Sequence, residues 1–204
     1  MINSNKNTDS TLWLAFKQGD KQAFSALYQN YIADLLTYGY RLTNDKSLIK
    51  DSIQDLFLHL WQHRHNLSAT DSVRFYLYRS LRNRIIRNIG TQSLTQTVEP
   101  DDLNYMALPN QLPFDEEWMN EETRQEQIHK LRNAIETLPK RQQEAIELRY
   151  LHDFSLEQIA ELMDISNQSV RNTLHRALTA LRDVLGGSVG LLFFLMTIYF
   201  KKNF

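Results

Sequence analysis

One stretch limits what this chain can become more than any other. It runs from Leu151 to Arg182: LHDFSLEQIAELMDISNQSVRNTLHRALTALR. The pattern predicts helix, tight turn, helix. Ser155 can cap the first helix, and Gln158, three residues on, completes a capping box. Ile159, Ala160, Leu162 and Met163 supply its apolar side. Asp164, Ile165 and Ser166 break the period, and Ser166 can cap a second helix. On that helix Val170, Leu174, Ala177 and Leu181 fall on one stripe. Asn167, Gln168, Arg171, Asn172, His175 and Arg176 fall on the other side. A packed back with long polar donors near the helix start suits a DNA major groove, where Arg pairs with guanine and Asn or Gln with adenine. An ordinary helical hairpin with a solvated face would share the pattern.

The rest of the composition agrees with helices. Only 6 Gly and 4 Pro occur in 204 residues, and the apolar period is mostly helical, which predicts an all-α fold. The chain has no cysteine, so it has neither a disulfide framework nor thiolate chemistry, as fits a cytoplasmic protein. The opening MINSNKNTDSTLW lacks the basic and apolar regions of a signal peptide. A net charge of −1 argues weakly against a DNA binder, but the charge is unevenly spread and local sign matters more.

In chain order, residues 1–10 are polar and are expected to be disordered. Leu12 and Phe16 begin a helix that Gly19 and Asp20 interrupt. Asp20 caps the next one, whose apolar side carries Phe24, Leu27, Tyr28, Tyr31, Ile32 and Leu35. Thr43-Asn44-Asp45 starts a third, with Ile53, Leu56, Phe57 and Leu60 at i, i+3, i+4, i+7. Asp51, Gln54 and Asp55 share its other flank, and spacing alone makes them solvated surface. His59, His63 and His65 come next, with no cysteine and no metalloprotease arrangement, so no metal site is expected.

After a polar loop at 65–72 comes VRFYLYRSLRNRIIRNI. Leu77, Leu81, Ile85 and Ile89 repeat every four residues and face a core. Arg74, Arg79, Arg82, Arg84 and Arg87 occur with no acid between them, and Phe75, Tyr76 and Tyr78 interleave. Clustered arginine with exposed aromatics holds phosphates and stacks unpaired bases. An amphipathic helix with a basic surface is the plainer alternative.

Residues 91–120 change character. Pro100, Pro109 and Pro113 are scattered among Glu99, Asp101, Asp102, Asp115, Glu116 and Glu117, which reads as an acidic linker. Two helical domains are therefore expected, at 11–90 and 121–185. Helix resumes near Glu121 and runs to Leu138, and Pro139 begins another that packs through Ala145, Ile146 and Leu148. Past Leu185, residues 186–204 form an apolar tail. The uncharged run Val184 to Phe200 spans 17 residues, the short end of the ~17–25 that cross a bilayer.

The stretches DSIQDLFLHLW (51–61), YLYRSLRN (76–83), LPKRQQEAIELRYLHDFSLEQIAELMDIS (138–166) and SVRNTLHRALTALR (169–182) resemble, in this order, the sigma-70 superfamily of bacterial sigma factors, extracytoplasmic-function (ECF) group. Their style is similar to the Bacteroidota branch. The resemblance covers about residues 12–185. It implies a region 2-like domain and a region 4-like helix-turn-helix domain. It also implies that Asp51, Gln54 and Asp55 grip core RNA polymerase, with Trp61 as supporting packing. By the same resemblance Tyr76, Arg79, Arg82, Asn83 and Arg87 belong to the helix that recognises and opens the promoter −10 element. The loop 65–72 would take a flipped base. Asn167, Gln168, Ser169, Arg171, Asn172, His175 and Arg176 would read the −35 element. Tyr76 stands where the family often has Trp, and the apolar tail lies outside the family pattern.

The resemblance implies a transcription initiation factor and not an enzyme, with no cofactor. Its partners would be core polymerase, promoter DNA and an anti-sigma factor, and the tail could add a membrane contact. The expected place is the cytoplasm, with membrane association through the tail or an anti-sigma factor. One alternative is a membrane-tethered helix-turn-helix regulator that acts without polymerase core binding. Another is an inhibitory protein that occupies polymerase with a sigma-like fold. A zinc hydrolase using the histidines is a third.

Overall fold

The structure is a computed structural model and describes residues 3–67, 70, 72–90 and 121–185. The linker, the apolar tail and positions 68, 69 and 71 of the polar loop lie outside the described residues. The chain divides into two units, residues 1–97 and 98–204. Among the described residues all regular structure is helical.

The first unit contains α1 (Asn3–Lys17), α2 (Lys21–Leu42), α3 (Lys46–His63), a 3-10 turn (Arg64–Asn66) and α4 (Val73–Gly90). The break between α1 and α2 needs Gly19, whose φ of 95° a side chain would oppose. Asp20 then accepts from the amides of Gln22 and Ala23, taking up two of the donors a helix start leaves unpaired. Asp45 does the same for α3 through Ser47 and Leu48. α2, α3 and α4 pack on one another, and α1 lies across α2 and α4. The core takes Phe16, Leu35, Ile53, Leu56, Leu60, Leu77, Leu81 and Ile85, each almost fully buried. Each such side chain stabilises by about 1.5–3 kcal/mol. α2 and α3 approach closely at Gly39, where an added Cβ would sit 2.5 Å from Ile49 Cγ2.

The expected disordered N-terminus is corrected here. Helix begins at Asn3, and Asp9 is buried. Asp9, Trp13 and Phe16 fall at i, i+4 and i+7, so α1 carries a buried face from Asp9 onward, which the polar run before Leu12 hides. Asp9 accepts a hydrogen bond from the Tyr31 hydroxyl of α2. Burial first, then the bond to Asp9 and its charge, push that hydroxyl far above its usual range.

The second unit contains α5 (Glu121–Thr137), α6 (Lys140–Tyr150), α7 (Leu156–Met163) and α8 (Asn167–Leu185). α8 packs on α5, α6 and α7. The predicted capping box at Ser155 and Gln158 is present. α7 ends on Asp164 in the left-handed conformation, φ 55°. That is a helix-stop position that glycine usually fills and a short polar side chain tolerates. α6 departs from expectation. Its apolar residues Ala145, Ile146 and Leu148 are buried, but so are Gln143, Glu144 and Glu147. Gln143 has a reason: its amide nitrogen donates to the Leu138 and Glu136 carbonyls, which the end of α5 leaves exposed. Glu147 lies 3.6 Å from the His152 ring, both side chains 2 % exposed.

Candidate nucleic-acid and polymerase interfaces

Three surfaces gather the residues singled out from the sequence. The first is the outer face of α3. Its buried stripe, Ile53, Leu56, Phe57 and Leu60, fixes the rotation of the helix. Asp51, Gln54 and Asp55 are thereby exposed on the opposite side. Trp61 is half-buried one turn beyond Phe57, 5.1 Å from the Phe24 ring of α2. The Arg64 guanidinium lies 4.7 Å above the indole and donates to the Trp61 carbonyl at 2.7 Å. Arg64 thus ends α3 while stacking on its last aromatic residue, a cation–π arrangement.

Gln54 and Trp61 also line something the sequence did not reveal, a groove of about 820 Å³ between α2 and α3. Its apolar walls include Tyr28 and Leu58, which are 41 % and 52 % exposed. Leu58 falls outside the stripe spacing of α3, and that was the available signal. Large apolar side chains left in water beside a polar rim mark an interaction surface.

The second surface is α4. Ser72 caps it by accepting from the Phe75 amide. Leu77, Leu81 and Ile85 turn inward as predicted. Arg79, Asn83 and Arg87 are exposed and Arg82 is half-buried, so these four lie along one side. The aromatic residues divide. Tyr78 is fully buried against Tyr38, with ring centres 4.8 Å apart, so its expected role as an exposed stacking ring is corrected. Tyr76 is half-buried and rests against Trp13 of α1 at 5.4 Å. At the α3 end, the rings of His59 and His63 stack at 4.2 Å. Burial, then the charges of His63 and Arg84, hold the His59 imidazole below its usual range. Among the described residues no group of three metal-ligating side chains occurs.

The third surface is the α7–α8 hairpin. Val170, Leu174, Ala177 and Leu181 are buried and hold α8 by its back. Asn167, Arg171, His175 and Arg176 are exposed, while Gln168, Ser169 and Asn172 are half-buried. All seven lie within the first three turns of the helix. The Ser169 amide donates to Ser166 Oγ at 3.1 Å, the cap expected from sequence. Glu157, at the start of α7, has its carboxyl held below the usual range. Its backbone hydrogen bond contributes most, then the Ser155 hydroxyl, with the charges of Arg171 and Arg149 adding to both.

Comparison with known proteins matches these surfaces to known regions. The family described as Sigma-70 region 2 matches residues 27–95, which hold α3 and α4. The family described as Sigma-70, region 4 matches residues 128–181, which hold the hairpin. The chain is 30 % identical to the ECF RNA polymerase sigma-E factor of Haemophilus influenzae over 176 residues, 83 % of this chain and 91 % of that protein. The chain belongs to the ECF RNA polymerase sigma factors. This sigma factor is also 26 % identical to RNA polymerase sigma factor SigZ of Bacillus subtilis, over 79 % of this chain and 86 % of SigZ. Its fold is similar to that of CnrH, solved in complex with the cytosolic domain of CnrY. The TM-score there is 0.55 at 17 % identity, covering 88 % of this chain and 97 % of CnrH.

Proposed function

We propose that this ECF sigma factor binds core RNA polymerase through α3, opens the promoter −10 element with α4 and reads the −35 element with α8. The observation that carries the reading is the order of the two matched regions in one chain, each with its polar residues turned outward. A helix-turn-helix regulator that ignores polymerase would have no use for region 2, which disfavours that alternative. Polymerase performs the chemistry, and the sigma factor contributes binding and positioning. In vitro transcription with cognate core polymerase tests the whole. Promoter-specific transcripts are expected only when both are present, and their absence would refute it.

In this reading Asp51, Gln54, Asp55 and Trp61 contact polymerase. Tyr76, Arg79, Arg82, Asn83 and Arg87 serve the −10 element, with the loop 65–72 as the place for an unstacked base. Asn167, Gln168, Ser169, Arg171, Asn172, His175 and Arg176 serve the −35 element. Within that set Arg171 and Asn172 read bases, being nearer the helix start, while Arg176 holds phosphate. Replacing Arg171 with Ala is expected to cost about 1–3 kcal/mol and relax specificity at one position. Replacing Arg176 with Ala is expected to weaken every sequence alike. Equal losses from both variants on every promoter would remove the distinction.

A role on polymerase and DNA puts this factor in the cytoplasm. An anti-sigma partner that holds the factor when idle belongs to the same proposal, and CnrH, whose fold is similar, was solved bound to a protein, the cytosolic domain of CnrY. No helix among the described residues is long and apolar enough to cross a membrane. The apolar tail past Leu185 acts in control, by docking on protein or by inserting in a bilayer. Truncation after Leu185 separates these: docking predicts higher basal transcription, and insertion predicts loss from the membrane fraction. A truncated chain unchanged in both, and still captured by a membrane anti-sigma partner, would show that the tail has no such role. The domain boundaries 11–90 and 121–185, with an acidic linker between them, belong to the same proposal. So does the Bacteroidota-like branch, which rests on the wording of the motifs.

A further inference from the structure

One contact on the outward side of α8 goes beyond family membership. Gln168 Nε2 donates to Asn172 Oδ1 at 3.1 Å, across one turn. Both side chains are half-buried, flanked by the fully buried Val170 and Leu174 that set the rotation of the helix. The backbone beneath is tied twice more. The Ser169 amide donates to Ser166 Oγ at 3.1 Å, and Thr173 Oγ1 donates to the Ser169 carbonyl at 2.7 Å. The two amides therefore sit on a rigid first turn and a half, the part of a recognition helix that reaches base edges.

A hydrogen bond between two side-chain amides uses one donor and one acceptor. The pair then presents an acceptor on one residue beside a donor on the other: Gln168 Oε1 and Asn172 Nδ2. An amide nitrogen carries two hydrogens, so Nδ2 can donate to a base beside another contact within the helix. Exchanging oxygen for nitrogen in both amides only swaps which residue accepts and which donates. Either orientation presents one acceptor and one donor, in opposite order along the helix. In the major groove, of the four bases taken singly, adenine alone presents an acceptor, N7, next to a donor, the N6 amino group; a G·C pair offers such neighbours only across its two bases, guanine O6 and the cytosine N4 amino group. Guanine offers two acceptors, thymine an acceptor and a methyl group, and cytosine a donor alone.

We propose that Gln168 and Asn172 act together as a single adenine reader in the −35 element. The inference rests on α8 lying in the major groove and adds which base is read and by what unit. Asn172 reading alone would use its own oxygen and nitrogen on one base. Here Gln168 occupies one lone pair of that oxygen and brings its own Oε1 beside Asn172 Nδ2, so the contact to the base is shaped by both residues.

The test uses the full chain bound to cognate core polymerase and a duplex library randomised through the −35 region. The wild type should select adenine at one position by about tenfold or more, the discrimination that one good base contact supplies. Gln168→Ala and Asn172→Ala should each abolish selection at that same position, and the double variant should lose nothing further. Alanine suits a helix, so all three should keep their helical circular dichroism. Gln168→Glu, which only accepts, should move the preference toward cytosine, whose N4 amino group donates. Retained adenine selection in Gln168→Ala, or relaxation at different positions in the two single variants, would overturn the pair. Arg171→Ala separates this from failure of the underlying reading. If it relaxes a position while the amide variants relax none, only the pair is wrong. If the wild type shows no −35 preference at all, both are wrong.

Discussion

The Asp51→Arg/Asp55→Arg chain is expected to lose binding to core polymerase while keeping its helical content. Both carboxylates are exposed on α3, on the side away from Ile53, Leu56, Phe57 and Leu60. Reversing them touches no core contact. The change at the interface is large, since two negative charges become two positive ones. Truncating one partner of a buried interfacial charge pair costs about 2–5 kcal/mol, and reversal adds like-charge repulsion. Two such losses together, about 4–10 kcal/mol, are comparable to the roughly 8 kcal/mol that holds a micromolar complex. Ser47 donates to Asp51 at 3.4 Å, a long and exposed contact whose loss has little effect on α3. Pull-down with core polymerase, read beside circular dichroism, decides the matter. Unchanged binding would move the polymerase contact off this face of α3.

The second large effect is expected from Leu81→Ala. Leu81 is fully buried on the inward side of α4, between Leu77 and Ile85. A leucine-to-alanine change at such a site costs about 2–5 kcal/mol, from lost transfer energy and the cavity left behind. That is a large share of what a small domain has. The urea midpoint of the variant should fall accordingly, and promoter opening should fail at temperatures the wild type tolerates. Arg79→Ala provides the contrast. Arg79 is exposed on the same helix, so its loss should shift stability by no more than about 0.5 kcal/mol while weakening the −10 contact. An unshifted midpoint for Leu81→Ala would mean that α4 is not anchored by this stripe.

The hairpin was legible because its signals are local. A capping box spans four residues, and the stripe of Val170, Leu174, Ala177 and Leu181 reports one helix face. The caps at Asp20 and Asp45 were readable for the same reason. What escaped depends on a second element. Tyr78 sits one residue from Leu77, and its place in the core depends on neighbours such as Tyr38 of α2. The α2–α3 groove is walled from both helices, by Tyr28 on one and Leu58 on the other, which no single window contains. The buried Gln143 serves carbonyls at the end of α5, five and seven residues back, a bond that periodicity does not register. Asp9 looked like a frayed polar residue because the hydroxyl that anchors it lies 22 positions along. For the candidate site, spacing on α3 and α8 gave the outward faces. It could not show that Gln168 and Asn172 bond to each other, because side-chain conformation chooses among several i, i+4 contacts.

The seam between Trp13 and Tyr76 has an optical consequence. The chain has three tryptophans, at 13, 61 and 118. Two lie in the first unit in distinct surroundings. Trp13 is buried against a tyrosine from α4, and Trp61 is half-exposed beneath a guanidinium. A Trp118→Phe chain therefore carries indole emission from the first unit alone. The buried indole reports whether α1 still rests on α4, and the half-exposed one reports the rim of the α2–α3 groove. Intrinsic fluorescence of the free chain can then follow unfolding of the first unit, without attaching any dye.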